Sequence, residues 1–154
     1  MRKVVLVLIL FFLAGCGTHA GTVASATATY PHWQVGQTVH TDTWGITIEQ
    51  VAASQSLSQY APPPAASSVY LIFTLTMHNL TNQPQYANPL RYEVRGLDGT
   101  SYPWKIGVDD AFDGNVADNG SAHGNMAFET PGSLHQLNLF YSEGQFLIIW
   151  DISV

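Results

Sequence analysis

From Trp33 onward the chain alternates between apolar and polar positions. Val69, Leu71, Phe73, Leu75 and Met77 are interleaved with Tyr70, Ile72, Thr74, Thr76 and His78. A period of two is what a half-buried β-strand imposes, because successive side chains leave opposite faces of the sheet. The odd-numbered side of this longest run is predicted to face the core. Shorter runs of the same kind centre on Trp44, Ile46 and Ile48, on Leu90, Tyr92 and Val94, on Gly124, Met126 and Phe128, and on Leu137, Leu139 and Tyr141. Residues 146–152 are apolar on both sides until Asp151, as expected of a strand covered on both faces. No window carries a capped helical period.

Turn chemistry separates the runs. Asp98-Gly99 reads as a two-residue hairpin turn, whose centre requires positive φ. Residues 79–84, 130–133 and 142–144 are further breaks, and Pro62-Pro63-Pro64 forces a loop or a stiff polyproline connection over residues 60–67. That connection splits two strands and not two domains, since neither side alone closes a core. Seven or eight short strands joined in this way predict an all-β, two-sheet antiparallel sandwich, with a small barrel as the alternative.

The N-terminus follows another pattern. Arg2 and Lys3 precede an unbroken apolar run over residues 4–13, and Leu13-Ala14-Gly15 leads into Cys16. A charged head, a short apolar stretch and small residues before a cut describe a secretory signal peptide. Ten helical residues rise about 15 Å, roughly half of a bilayer core, so the run is too short to span a membrane. Leu-Ala-Gly-Cys resembles the lipobox of bacterial lipoproteins. That resemblance implies diacylglycerol on the Cys16 thiol and cleavage just before it, with membrane attachment through lipid. The alternative is an ordinary cleaved signal with a coincidental cysteine. Cys16 is the one cysteine in the chain, so no internal disulfide can form.

The expected organisation is therefore a signal peptide over residues 1–15, a lipidated Cys16 with a small-residue tether over 16–30, and a domain over 31–154. The tether would span on the order of 20 Å as a flexible coil. Without the signal peptide, Arg91, Arg95 and Lys105 face eleven acidic residues, a formal charge of −8. Such a surface repels nucleic acid and anionic lipid headgroups alike, so the lipid itself must anchor the chain. Carboxylates are nevertheless sparse, and stability is expected to depend weakly on pH, as would suit an acidic exterior.

Candidate chemistry is thin. His78, His123 and His135 occupy outward strand positions, whereas Met77 and Met126 point inward by the same alternation. No closely spaced histidine pair supports a copper or zinc site, and solvent-facing histidines are the default. Asp109, Asp110, Asp113 and Asp118, with Asn115 and Asn119, form an oxygen-rich stretch and a weak calcium candidate, without EF-hand spacing. A solvated acidic loop is its ordinary explanation. Trp33, Trp44, Trp104 and Trp150 would suit a sugar-stacking platform, but aromatics are normal in sandwich cores. Asn79-Leu80-Thr81 and Asn119-Gly120-Ser121 match glycosylation sequons. No nucleophile elbow is present, and no catalytic residue and no cofactor is implied.

The segments VGQTV…WGITIEQV, VYLIFTLTMHNLTNQP, YEVRGLDGTSYPW and GSAHGNMAFETP, followed by two hydrophobic strands, carry a family resemblance. The chain from about Trp33 to Val154 resembles a widespread domain of unknown function found in secreted proteins and lipoproteins, largely of Gram-positive bacteria. That domain is related to a mycobacterial secreted immunoprotective antigen. Asn79 at the end of the long strand, Leu97-Asp98-Gly99 with Tyr102, and Gly124 before Phe128 match its pattern; Asn119-Gly120 stands where Pro-Gly is usual. The resemblance implies an immunoglobulin-like sandwich and assigns no catalytic residues. The resulting expectation is a membrane-anchored, extracytoplasmic, non-catalytic module that meets an envelope protein or polymer, and no nucleic acid. A metal- or small-ligand-binding lipoprotein is the alternative, with an envelope hydrolase behind it.

Overall fold

The computed structural model describes residues 30–154. Strands β1 (His32–Gln34), β2 (Thr38–His40), β3 (Trp44–Ser54) and β4 (Ser68–Asn79) come first. They are followed by β5 (Gln85–Ala87), β6 (Tyr92–Gly96), β7 (Ser101–Tyr102), β8 (Trp104–Lys105) and β9 (Gly114–Val116), then by β10 (Ser121–Pro131), β11 (Gln136–Glu143) and β12 (Phe146–Ser153). One sheet has the order β1-β12-β11-β6-β7 and the other β2-β3-β4-β10-β8, while β5 and β9 form a separate ribbon. The series β3-β4-β10-β8 and β12-β11-β6-β7 match the A-B-E-D and G-F-C-C′ orders of immunoglobulin sandwiches. Two distinct sheets remove the barrel alternative.

The long strands lie where the alternation places them, and the count rises from eight to twelve because six strands have only two or three residues, too few for a readable period. One pairing departs from the antiparallel expectation. β1 runs parallel to β12, with His32 opposite Ile149 and Gln34 opposite Asp151. The run beginning at Leu90 also changes: Pro89–Arg91 is a turn of 3₁₀ helix capped by the Asn88 side chain, and Leu90 is 70 % exposed.

The core is built from the inward parity of both sheets. Leu71, Phe73, Leu75 and Met77 of β4 meet Met126 and Phe128 of β10 on one side, and Val94, Leu139, Tyr141 and Trp150 on the other. Phe73 and Phe128 pack edge to face at 5.7 Å, the arrangement the ring quadrupole favours. The even-numbered side of β4 is not all open. Leu57 and Val108 fold over Tyr70, Ile72 and Ala127 and form a small second core on the outer face. On β12 the outer-face Ile149 is covered as well, at 7 % exposure, whereas Phe146, on the inward parity of Ile148 and Trp150, is exposed at the start of the strand.

The Asp98-Gly99 turn forms with one residue more than expected. Gly96 N–H bonds Thr100 O, Gly99 N–H bonds Gly96 O, and only Gly99 has positive φ. This is a three-residue loop closed by a left-handed glycine. The Asp98 carboxylate accepts from the Thr100 N–H and hydroxyl, each at 2.9 Å. Those bonds hold its pKa below the ordinary aspartate value, the backbone bond foremost. The Asn79 sequon lies within the fold: Asn79 is fully buried, donates to Gln83 O and Ala117 O, and accepts from Thr81. It therefore ties together the loops that follow β4 and β9.

Candidate functional site

Cys16 lies outside the described residues. The four aspartates are described, and they do not converge; among the described residues no three His, Cys, Asp or Glu side chains gather as metal ligands. Asp109 and Asp110 belong to a segment laid against the edge of β10, where Asn125 N–H bonds Asp110 O and Phe112 N–H bonds Asn125 O, both at 2.7 Å. Phe112 enters the core beneath them. The Asp113 carboxylate accepts the Tyr86 hydroxyl, while Asp118 stands exposed in the turn before β10. This stretch seals a sheet edge.

Gly124 makes that seal geometrically feasible. A Cβ there would meet Asp110 O at 2.7 Å and the Phe112 backbone at 2.9 Å, closer than atoms can pack without displacement. His78, His123 and His135 are all exposed: His78 and His123 lie diagonally across the β4–β10 pair, beside Ser121 and Glu49 respectively, and His135 stands apart beside Val154 O. Met77 and Met126 are buried. Trp44 and Trp150 are core residues, and Trp33 and Trp104 pack against the core, so the four tryptophans share no exposed platform.

What the fold does assemble is on the outer face of the other sheet. β1, β12 and β11 lie side by side, which places Gln34, Asp151 and Asn138 in one row, since Gln34 pairs with Asp151 and Asp151 with Asn138. The Asp151 carboxylate accepts from His32 Nδ1 at 2.6 Å and from the Gln34 amide at 3.5 Å. With its amide in the orientation its neighbours require, Asn138 donates to Leu137 O and to Asp151, each at 3.2 Å. Gln34, Asp151 and Asn138 line a groove of about 370 Å³, with Gln136 and Ser153 beside them and Leu97 as its apolar wall. Leu97 is 67 % exposed. Parity alone marks Asn138 and Asp151 as outward; that Gln34 joins their row depends on a strand pairing across 117 positions, which no local pattern carries.

The basic residues are all engaged elsewhere. Among the described residues, Arg91 pairs with Glu143, Arg95 with Glu93 and Lys105 with Glu129, at 2.5–2.6 Å. Arg95 also lies 4.9 Å over the Phe140 ring. Its guanidinium holds the Glu93 carboxyl below the usual range, as the Lys105 ammonium does for Glu129. At the opposite end of the sheet, burial drives the Tyr92 and Tyr141 phenols upward, with the Glu143 charge adding to the shift at both. Both therefore stay protonated and neutral, as packed core residues. Among the described residues every Lys and Arg side chain is thus paired with a carboxylate, and no nucleophile stands beside a base in the groove.

Comparison with known proteins gives the same architecture. Residues 33–147 match the family model for a domain of unknown function, DUF4352. A candidate lipoprotein of Bacillus subtilis, ycdA, superposes with a TM-score of 0.63 over 75 % of this chain at 16 % identity; this chain spans 38 % of that structure. The yjhA protein of the same organism gives 0.62 at 13 % identity over 80 % of this chain and 100 % of its own. An uncharacterized β-sandwich protein of Clostridium difficile gives 0.56 at 14 % identity, over 81 % and 97 %. At these identities the likeness is one of fold. Among curated proteins none matches the chain.

Proposed function

Because the chain belongs to the DUF4352 family of domains of unknown function, we propose that it acts as a lipid-anchored module outside the cytoplasm, held by Cys16, that binds an envelope component and catalyses nothing. The carrying observation is one of polarity along the sandwich. β1 is parallel to β12, so the chain enters the fold from the end where β12 begins. The groove uses Gln136, Asn138, Asp151 and Ser153, toward the end where β12 finishes. The loop carrying Tyr60, 88 % exposed, lies at that same far end. A tether on the near side would hold this end away from the bilayer. Among the described residues no helix is long and apolar enough to cross a membrane, and two acyl chains on one thiol supply firm attachment where one chain would not.

The lipobox residues, together with the fold shared with a candidate lipoprotein, support the anchoring. The immunoglobulin strand order supports kinship with the mycobacterial secreted antigen. Intact-mass analysis of protein extracted from membranes is the test. A chain starting at Cys16 and carrying diacylglycerol is expected; a Cys16→Ala variant should accumulate uncleaved or leave the membrane fraction. An unmodified Cys16 in mature material would refute the anchoring.

A further inference from the structure

The groove on the β1-β12-β11 face has a chemistry that narrows its ligand. We propose that it binds a neutral, polyhydroxylated glycan chain; this rests on the reading of the domain as a binding module. The Asp151 carboxylate is held from three sides, by His32, Gln34 and Asn138. A carboxylate already supplied with donors is a poor trap for a cation, and it repels anions. The three cationic side chains of the domain are each paired with a carboxylate, so phosphates and acidic polymers find no counter-charge either. A neutral ligand remains.

The groups around Asp151 then suit hydroxyls. Gln34, Gln136 and Asn138 carry primary amides, each with donors on one atom and an acceptor on the other, and Ser153 adds a hydroxyl. Vicinal sugar hydroxyls likewise donate and accept together: they can pair with the Gln136 amide and donate to Asn138 Oδ1 and to the carboxylate lone pairs that its partners leave. Leu97 offers an exposed apolar wall to the C–H face of a sugar ring. A groove of about 370 Å³ falls near the lower end of the range for ligand clefts, roughly 300–1,000 Å³. Side chains pinned across three strands of a sheet are held in place before a ligand arrives, which lowers the ordering cost of binding.

The test uses the full chain, extracted in detergent, titrated calorimetrically with chitotetraose, cellotetraose and polygalacturonate. At least one neutral tetrasaccharide is expected to bind saturably and the polyanion not at all. Asp151→Ala and Leu97→Asp should each weaken binding tenfold or more with an unchanged melting temperature. A preference for chitotetraose assigns the groove to N-acetylated amino-sugar chains, and a preference for cellotetraose to plain glucans. No saturable binding of either sugar at millimolar concentration, or binding indifferent to both substitutions, overturns the proposal. Sedimentation with isolated envelope separates the two levels. Capture that still depends on Asp151 or Leu97 without sugar binding removes the glycan and keeps the binding face. Capture indifferent to both residues removes the face as well.

Discussion

The outer faces of the two sheets are treated in opposite ways. On β4 and β10 the connection between β3 and β4 folds back, Leu57 and Val108 cover Tyr70 and Ala127, and the Tyr70 hydroxyl donates to Pro62 O at 3.0 Å. On β1, β12 and β11 none of the described loops folds back over Asp151, yet the side chains are ordered among themselves around it. Covering a face contributes apolar burial and hence stability. Fixing exposed polar side chains costs rotamer freedom and returns little, since exposed ion pairs and hydrogen bonds are worth about 0–1 kcal/mol. The covered face is therefore explained by folding alone. The open one is not, and the proposed binding face rests on that contrast.

Substitutions can break this contrast from either side. The largest effect is expected at Gly124, where alanine would drive the Asp110–Phe112 backbone off β10 and loosen Phe112. A loss of about 3 kcal/mol in urea unfolding is expected. Next comes Leu57→Ala on the covered face. Leu57 is 6 % exposed, and removing it should cost about 2–3 kcal/mol; a surface-like value below about 0.5 kcal/mol would show that this loop is not a true cover. Asn138→Ala on the open face should change stability by no more than about 0.5 kcal/mol, while reducing envelope capture in a sedimentation assay.

The smallest effect concerns pH. Glu93, Asp98 and Glu129 are each held below their ordinary values of 4.5, 3.8 and 4.5, Glu129 chiefly by Lys105 and then by the Ala65 N–H. A depressed folded-state pKa stabilises the fold above the unfolded value, and that contribution disappears as pH falls through the folded value. Melting temperature should thus be flat near neutrality and decline gently below about pH 4.5, and Glu129→Gln should flatten the decline. A steep loss already at pH 5 would contradict the weak dependence expected from so few carboxylates.

Strand parity was legible in the sequence wherever a strand was long. The odd side of β4, the inward Met77 and Met126, and the outward histidines all follow from a period of two, because burial on one face is a local signal. Short strands carry no period: β1 was unreadable in Pro31-His32-Trp33-Gln34, and with it went the row that joins Gln34 to Asp151. Tyr70 and Ile72 were equally opaque, since an outward position is covered only when a distant loop returns to it. The place of the aspartates was opaque for a related reason. Carboxylates adjacent in sequence suggest a cage, but the backbone between Asp109 and Asp113 is committed to the edge of β10 and to seating Phe112. The lipobox, by contrast, is read entirely from contiguous residues.

Hydrogen–deuterium exchange on the full chain, with and without isolated envelope polymer, tests the proposed binding face most directly. Protection is expected at residues 34, 97, 136–138 and 151–153, with the β3–β4 connection unchanged. Protection confined to that connection, or to the 142–146 end where β12 begins, would contradict the account.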